Sequence, residues 1–347
     1  LFINGDLFWE RNNMLASIQK VLSVEPITNA DALEKVKVLG WNVVAKKGEF
    51  KPGDLCIYIE IDTIVPDRPE FEFLRNKDFR IRTIKLRGEM SQGIVFPVST
   101  FSFPSTLPLV EGTDVTEFLG VRKYEKPVPP SMRGVIRGNF PSYVPKTDET
   151  RIQAAPKLLQ EMRGICCYST VKMDGTSATY IMRDGEYHVC SRNTDFKLTD
   201  ENKGNVYIEM GNKYGLEEKM RKLGRNIAIQ GEICGPSIQK NRMCLPEIDL
   251  FVFNVYDIDK GQYMGLSEMS DIVNLFELKM VPFIECFMFD YKTVEDVLKA
   301  AEGFYKGTKN RREGIVVRPT EERYSEVLKG RMSFKAVNNE YLLKDEE

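Results

Sequence analysis

Lys172 closes an apolar run and is followed by Met173, Asp174 and Gly175. A lysine amine is a nucleophile only when deprotonated, and at neutral pH an ordinary lysine is an ammonium. Chemistry at Lys172 therefore needs neighbours that lower its pKa and stabilise charge on the group it attacks. The chain offers three carboxylates beside apolar, strand-like runs: Asp174 itself, Glu232 in Gly231-Glu232-Ile233-Cys234-Gly235, and Glu313 in Glu313-Gly314-Ile315-Val316-Val317-Arg318-Pro319. Oxygen donors of this kind suit Mg2+ or Mn2+. Lys335, in Ser333-Phe334-Lys335-Ala336-Val337-Asn338, adds a cation. Arg192 stands in Ser191-Arg192-Asn193, and Phe251 and Phe253 alternate in Leu250–Asp257. Taken singly, a strand-end lysine or glutamate is more often a solvated charge, and alternating phenylalanines are more often core.

The elements that must carry these residues are legible in outline. Residues 14–25 read as a strand ended by Pro26, Asn29 as an N-cap for a short turn or helix, and Val36–Ala45 as β structure with a bulge at Gly40. Leu55–Asp62 alternates, with Leu55, Ile57, Ile59 and Ile61 on one side, which predicts a half-buried strand. Arg80, Arg82, Lys85 and Arg87 share one stretch, and a bulge near Thr83 would bring all four charges to one face as a phosphate-contacting strip. Short strands with little helix predict a small OB-like β-barrel over 14–120. Residues 121–150 read as a Pro-rich irregular connector, including Lys126–Ser131 and Pro141–Pro145. Residues 151–347 read as a second domain of antiparallel sheets with interspersed helices, so the class is α+β. Residues 1–13 form an extension to which no role is assigned.

In this order, the motifs around Lys172, Arg192, Glu232, Phe253, Glu313 and Lys335 resemble those of the covalent nucleotidyltransferases: ATP-dependent DNA and RNA ligases and capping guanylyltransferases. Only twelve residues follow Lys335, which leaves no room for the C-terminal OB module of DNA ligases and capping enzymes. A barrel that comes first is similar to the RNA ligases with an N-terminal OB domain, the Naegleria-type group. The resemblance implies that Lys172 is adenylylated by ATP, that AMP passes to an RNA 5′-phosphate, and that a 3′-OH displaces it. It implies Val171, Arg192, Glu232, Phe253 and Lys335 as nucleotide contacts, with Phe251 the fallback for adenine stacking. It implies Asp174, Glu232 and Glu313 as holders of a divalent metal through its waters. The family's last motif often reads Lys-x-Lys. Here Ser333 stands where one lysine is missing, and Lys329 or Arg331 are the candidates to replace it.

Composition narrows the alternatives. A charged fraction of 29% with a hydrophobic fraction of 42% describes a soluble globular chain of two-domain size, and no apolar run is long enough to span a bilayer. Residues 1–13 lack the basic start and apolar stretch of a secretory signal. Seven cysteines without a Cys-x-x-Cys pair point to a reducing, intracellular compartment. His188, the only histidine, excludes multi-His metal sites. A net charge of −2 argues against bulk non-specific nucleic-acid binding. The expected partners are ATP and RNA with 3′-OH and 5′-phosphate ends, and the expected state is a monomer. The rival class is a non-catalytic RNA-binding protein, because Asn29–Glu34 is similar to the opening of tRNA-binding OB domains.

Overall fold

The computed structural model describes residues 14–125 and 132–344. The extension 1–13 and the connector segment Lys126–Ser131 lie outside the described residues. Ten strands make the first domain: β1 (Ala16–Pro26), β2 (Leu33–Val38), β3 (Trp41–Lys46), β4 (Leu55–Ile59), β5 (Thr63–Ile64), β6 (Arg80–Ile81), β7 (Thr83–Leu86), β8 (Glu89–Gln92), β9 (Ile94–Pro97) and β10 (Arg122–Lys123). They pair in the order β3-β2-β1-β4-β9, in a second sheet β10-β5-β6, and as the hairpin β7-β8. One apolar core, with Ile18, Trp41, Ile57, Tyr58, Phe71 and Leu119, holds these sheets together as the OB-like barrel.

Three local expectations are corrected. Asn29 caps no helix: its φ is 60°, the chain turns, and β2 begins at Leu33. Gly40 is not a bulge, because Val38 pairs with Trp41 and Leu39-Gly40 is the turn between β2 and β3. The Gly40 N–H donates to Gln153 O at 2.8 Å, and a Cβ there would come within 2.7 Å of Gln153 Cα. The turn is glycine because it docks against the second domain. Strand β4 is buried on both faces: Cys56, Ile57, Tyr58 and Ile59 are each 0% exposed. It lies between β1 and β9, and Tyr58 packs on Trp41 and donates to Gln92 O.

The second domain contains β11 (Ile136–Asn139), β12 (Cys166–Lys172), β13 (Thr176–Arg183), β14 (Glu186–Cys190), β15 (Thr194–Phe196), β16 (Ile227–Cys234), β17 (Asp249–Asp257), β18 (Gln262–Tyr263), β19 (Lys279–Met280), β20 (Phe283–Met288), β21 (Gly314–Pro319), β22 (Tyr324–Ser325), β23 (Gly330–Arg331) and β24 (Phe334–Val337). The larger sheet runs β11-β15-β14-β13-β16-β17-β18, with β19 on β17, and the smaller runs β20-β12-β21-β24. Among the described strands every pairing is antiparallel except β17 with β19. Helices Val206–Lys213, Leu216–Leu223 and Leu266–Leu275 bury apolar residues against the larger sheet. Helix Val294–Ala301, opened by a Thr293–Asp296 capping box, does the same for the smaller one. The stretch expected as a connector supplies strands to both domains, since β10 pairs with β5 and β11 with β15.

The two sheets exchange the chain at residues 172–176, between β12 and β13. Lys172 pairs in register with Gly314 on β21. Gly314 has φ 156°, and an added Cβ would lie 2.1 Å from Ala336 O on β24. The substitution Gly314→Ala is therefore expected to cost about 2 kcal/mol of stability through overpacking against fixed backbone. Denaturant unfolding reads this directly, and an unchanged midpoint would mean that β21 shifts without loss.

Candidate active site

The apolar strand β12 carries Lys172 to the seam between the sheets. Its Nζ lies 2.7 Å from Glu313 Oε1, and neither side chain is more than one quarter exposed. Tyr305 braces this pair: its hydroxyl donates to Lys172 O at 3.3 Å and accepts from the Glu313 N–H at 3.1 Å. Asp174 follows in the turn, buried, with Arg242 Nε 3.6 Å from its Oδ2. Gly175 has no room for a side chain. A Cβ would meet Ile233 O at 2.3 Å, Cys234 Sγ at 2.6 Å and Glu232 Cγ at 2.8 Å. This close approach explains the glycine of the Lys-Met-Asp-Gly motif and draws Glu232 towards Lys172.

Glu232 sits on β16 opposite Ser177 of β13 and Phe251 of β17. Between Gln230 and Gly231 the register with β17 slips, so that Phe253 is the extra residue. Phe251 and Phe253 are both half-buried, and they pack with Val171, Met243 and Leu245 around Met173, Cys234 and Val281. This apolar patch lies beside the charged cluster, and the structure brings both phenylalanines to it.

Carboxylates set the charge state of Lys172. Burial disfavours its ammonium, but Glu313, Glu232 and Asp174 outweigh burial and hold the Lys172 pKa above the usual lysine value. Burial and the neighbouring carboxylates push Glu232 up to about 8 in spite of Lys172. Lys335 goes the other way: burial first, then Arg151 and Lys172, bring it down to about 7. The expectation that Lys335 would depress Lys172 is thus corrected. Without a bound cation, the carboxylates dominate at Lys172 and Lys335 is the lysine that is depressed. The donors fit a hard divalent cation in chemistry and charge. Among the described residues, however, no three carboxylate, His or Cys side chains are grouped for direct ligation of one ion. Asp174, Glu232 and Glu313 are the carboxylates near Lys172 that would hold such a cation.

Lys335 lies where the domains meet. Its N–H donates to Thr150 O at 2.9 Å, and Arg151 bridges to it. Arg151 reaches Asp62 of the first domain at 2.6 Å, and Asp62 lies 3.5 Å from Arg80. Glu60 beside them is raised to about 7 by burial against the pull of Arg151, Lys335 and Lys123. Asp148 accepts from Arg192 Nη2 at 2.6 and 2.7 Å, with Lys123 at 3.6 Å. Lys123, Arg192 and Lys335 overcome burial and hold Asp148 down to about 2. Sequence reasoning missed Lys123, Asp148, Arg151, Glu60, Asp62 and Tyr305. The available signals were the charged run Lys146–Arg151 inside a Pro-rich stretch and two acids ending the apolar strand at 60 and 62.

Both candidates for the missing lysine have acidic partners of their own. Arg331 bonds Glu322 and Asn254 and covers the Tyr263 ring at 3.9 Å, while Lys329 pairs with Glu326 at 2.7 Å. Ser333 Oγ donates to Glu149 Oε2 at 2.6 Å, and Glu149 pairs with buried Arg318 at 2.7 Å. The basic strip is split. The strand breaks at Arg82, between β6 and β7, and not by a bulge at Thr83. The Arg80 guanidinium lies 3.5 Å over the Tyr124 ring, and Arg82 is half-buried. Lys85 and Arg87 are exposed on the β7-β8 hairpin, whose turn is Arg87-Gly88.

An OB barrel joined to a two-sheet domain, with a strand-end lysine ringed by carboxylates, defines a covalent nucleotidyltransferase of the ligase type. Family models match an OB-fold domain over residues 15–98 and an RNA ligase over residues 167–337. Naegleria gruberi RNA ligase with PPi is 36% identical over 95% of this chain and 98% of that chain, with a TM-score of 0.85. A mutant of that enzyme with ATP and Mn is 36% identical over 96% and 98%, with a TM-score of 0.86. Another with AMP and Mn is 36% identical over 96% and 99%, also with a TM-score of 0.86. None of the curated proteins compared matches the chain. The chain belongs to the RNA ligase family, in the form that carries an OB-fold domain ahead of the ligase domain. Among the described residues no helix is long and apolar enough to cross a membrane.

The raised Glu232 pKa has a consequence for stability without metal. The carboxyl titrates near 4.5 when exposed and near 8 when folded. Between these values the unfolded chain has released the proton and the folded chain has kept it, so stability falls as pH rises through this window. Glu232→Gln should flatten the fall and leave the metal-free protein more stable at about pH 8, on the order of 1–2 kcal/mol. Urea unfolding at both ends of the window tests this, and an equal decline in both proteins would contradict it.

Proposed function

We propose that this ATP-dependent RNA ligase uses Lys172 as its adenylylated nucleophile. The observation that carries the reading is Lys172 Nζ at 2.7 Å from Glu313, beside Glu232, Asp174 and an apolar patch that includes Phe251 and Phe253. For reaction, the amine leaves Glu313, loses its proton and attacks the α-phosphorus of ATP, and pyrophosphate departs. AMP then passes from Lys172 to an RNA 5′-phosphate. A 3′-OH attacks that phosphate, forms the phosphodiester and releases AMP.

The remaining roles follow from position. Phe253 stacks on adenine from the bulge in β17, with Phe251 and Val171 beside it. Glu232 and Arg192 hold the ribose, and Asp148 keeps the Arg192 guanidinium oriented. Lys335 contacts the α-phosphate. Asp174, Glu232 and Glu313 would hold Mg2+ or Mn2+, and the ion would supply positive charge to the phosphates. Arg151 and Lys123 supply the cation that Ser333 does not, since both act on the same acidic group, Glu60, as Lys335.

Incubation with α-labelled ATP should label the wild type on Lys172, and Lys172→Ala should abolish the label. Labelling by α-labelled GTP alone would defeat the ligase reading. Arg151→Ala and Lys335→Ala should each lower the adenylylation rate by about 10²-fold, with a fall below tenfold for Arg151→Ala counting against its role. For RNA, the exposed hairpin cations are the contacts. The double variant Lys85→Ala, Arg87→Ala should weaken binding and reduce the salt slope by about 2. An unchanged slope would place the RNA elsewhere.

A further inference from the structure

Cys166 and Cys286 are exposed, and their sulfurs lie 3.7 Å apart. They belong to neighbouring strands: Cys166 pairs with Met288, and Tyr168 pairs with Cys286. The two cysteines are thus diagonal neighbours on one face of the β12-β20 ladder. Strand β20 is the edge of its sheet, and five of its six residues are exposed. An edge strand can move towards its single neighbour without breaking a second ladder. Closing the sulfurs from 3.7 Å to a bond of about 2.05 Å takes rotation of the two side chains together with a shift of this edge strand. The other cysteines offer no comparable arrangement. Cys56, Cys167, Cys190 and Cys234 are buried, and exposed Cys244 lies against Asn310 and the Arg242 carbonyl.

We propose that Cys166 and Cys286 form a dithiol modification site that a small-molecule disulfide oxidises to an intramolecular bond. One thiol loses its proton, attacks the reagent disulfide and forms a mixed disulfide while one reagent thiolate leaves. The second protein thiol loses its proton and attacks the protein sulfur of that mixed disulfide, releasing the other reagent thiolate. Two protein thiols are oxidised, one reagent disulfide is reduced to two thiols, and the two protons pass to those products. The staple joins two strands that border the nucleotide pocket. At the opposite end of this ladder the Val171 N–H donates to Pro282 O at 2.9 Å, and Val281 packs in the pocket's apolar wall. The bond would tie β20 to the strand that carries Lys172, but at the end remote from Lys172.

The test uses the full chain without reductant. The protein is treated with glutathione disulfide, free thiols are alkylated with iodoacetamide, and the non-reduced digest is examined by mass spectrometry. A peptide containing Cys166 should be linked to one containing Cys286, and dithiothreitol should separate them. In Cys286→Ser the second attack is lost, so Cys166 should retain a glutathione adduct. The wild type should gain thermal midpoint on oxidation, and Cys286→Ser should not. Lys172 adenylylation should be unchanged in Cys286→Ser. Recovery of both cysteines as alkylated thiols, or of each with its own glutathione, would overturn the proposal. So would an equal midpoint shift in the wild type and Cys286→Ser.

Discussion

Three carboxylates crowd one ammonium at the seam of two sheets, and much of the second domain is arranged to keep them there. Glu313 reaches Lys172 because β21 pairs with β12 in the register that sets Gly314 opposite Lys172. Glu232 reaches it because Gly175 lets the chain pass within contact of β16. Asp174 is carried in the turn between the two sheets. Lys172 is held as an ammonium and Glu232 retains its proton to about 8, so the resting cluster is neutralised internally.

The barrel is part of this electrostatic system as well as a neighbouring module. Its strand β4 runs through the barrel core and leads to Glu60 and Asp62 at the domain boundary. Asp62 binds Arg151, Arg151 adjoins Lys335, and β10 brings Lys123 to Asp148 and so to Arg192. Basic groups that would repel one another are kept close by acids from both domains. The turn at Gly40 packed on Gln153 gives this contact a fixed backbone footing. Lys123 and Asp148 both come from the segment that looked like a connector, so that segment contributes charge to the domain boundary.

The serine at position 333 also acquires a physical account. Its hydroxyl completes the bonding of Glu149, which is buried and paired with Arg318, and Arg318 in turn reaches Phe253 O at 3.5 Å. The motif position thus supports the strand that holds the aromatic pocket. Positive charge near Lys335 comes instead from Arg151, far away in sequence.

The sequence by itself determined the nucleophile candidate, the carboxylates, the order of domains and the strands that carry the motifs. Periodicity and strand-end motifs are local properties, written in residues a few positions apart. It also marked Phe251 and Phe253 as a pair without ranking them, and identified Ser333 as the departure from the family pattern. Tertiary structure alone decided which charges meet. Arg80 was legible as basic, but its stacking on Tyr124 depends on β10 folding beside β5 and β6. Arg151 was legible as the start of a segment, but its contact with Asp62 spans 89 residues. Lys335 and Lys172 have the same intrinsic chemistry, yet burial among cations depresses one and carboxylates raise the other. A pKa depends on the field at a point in space, and that field is assembled from strands that only the fold brings together.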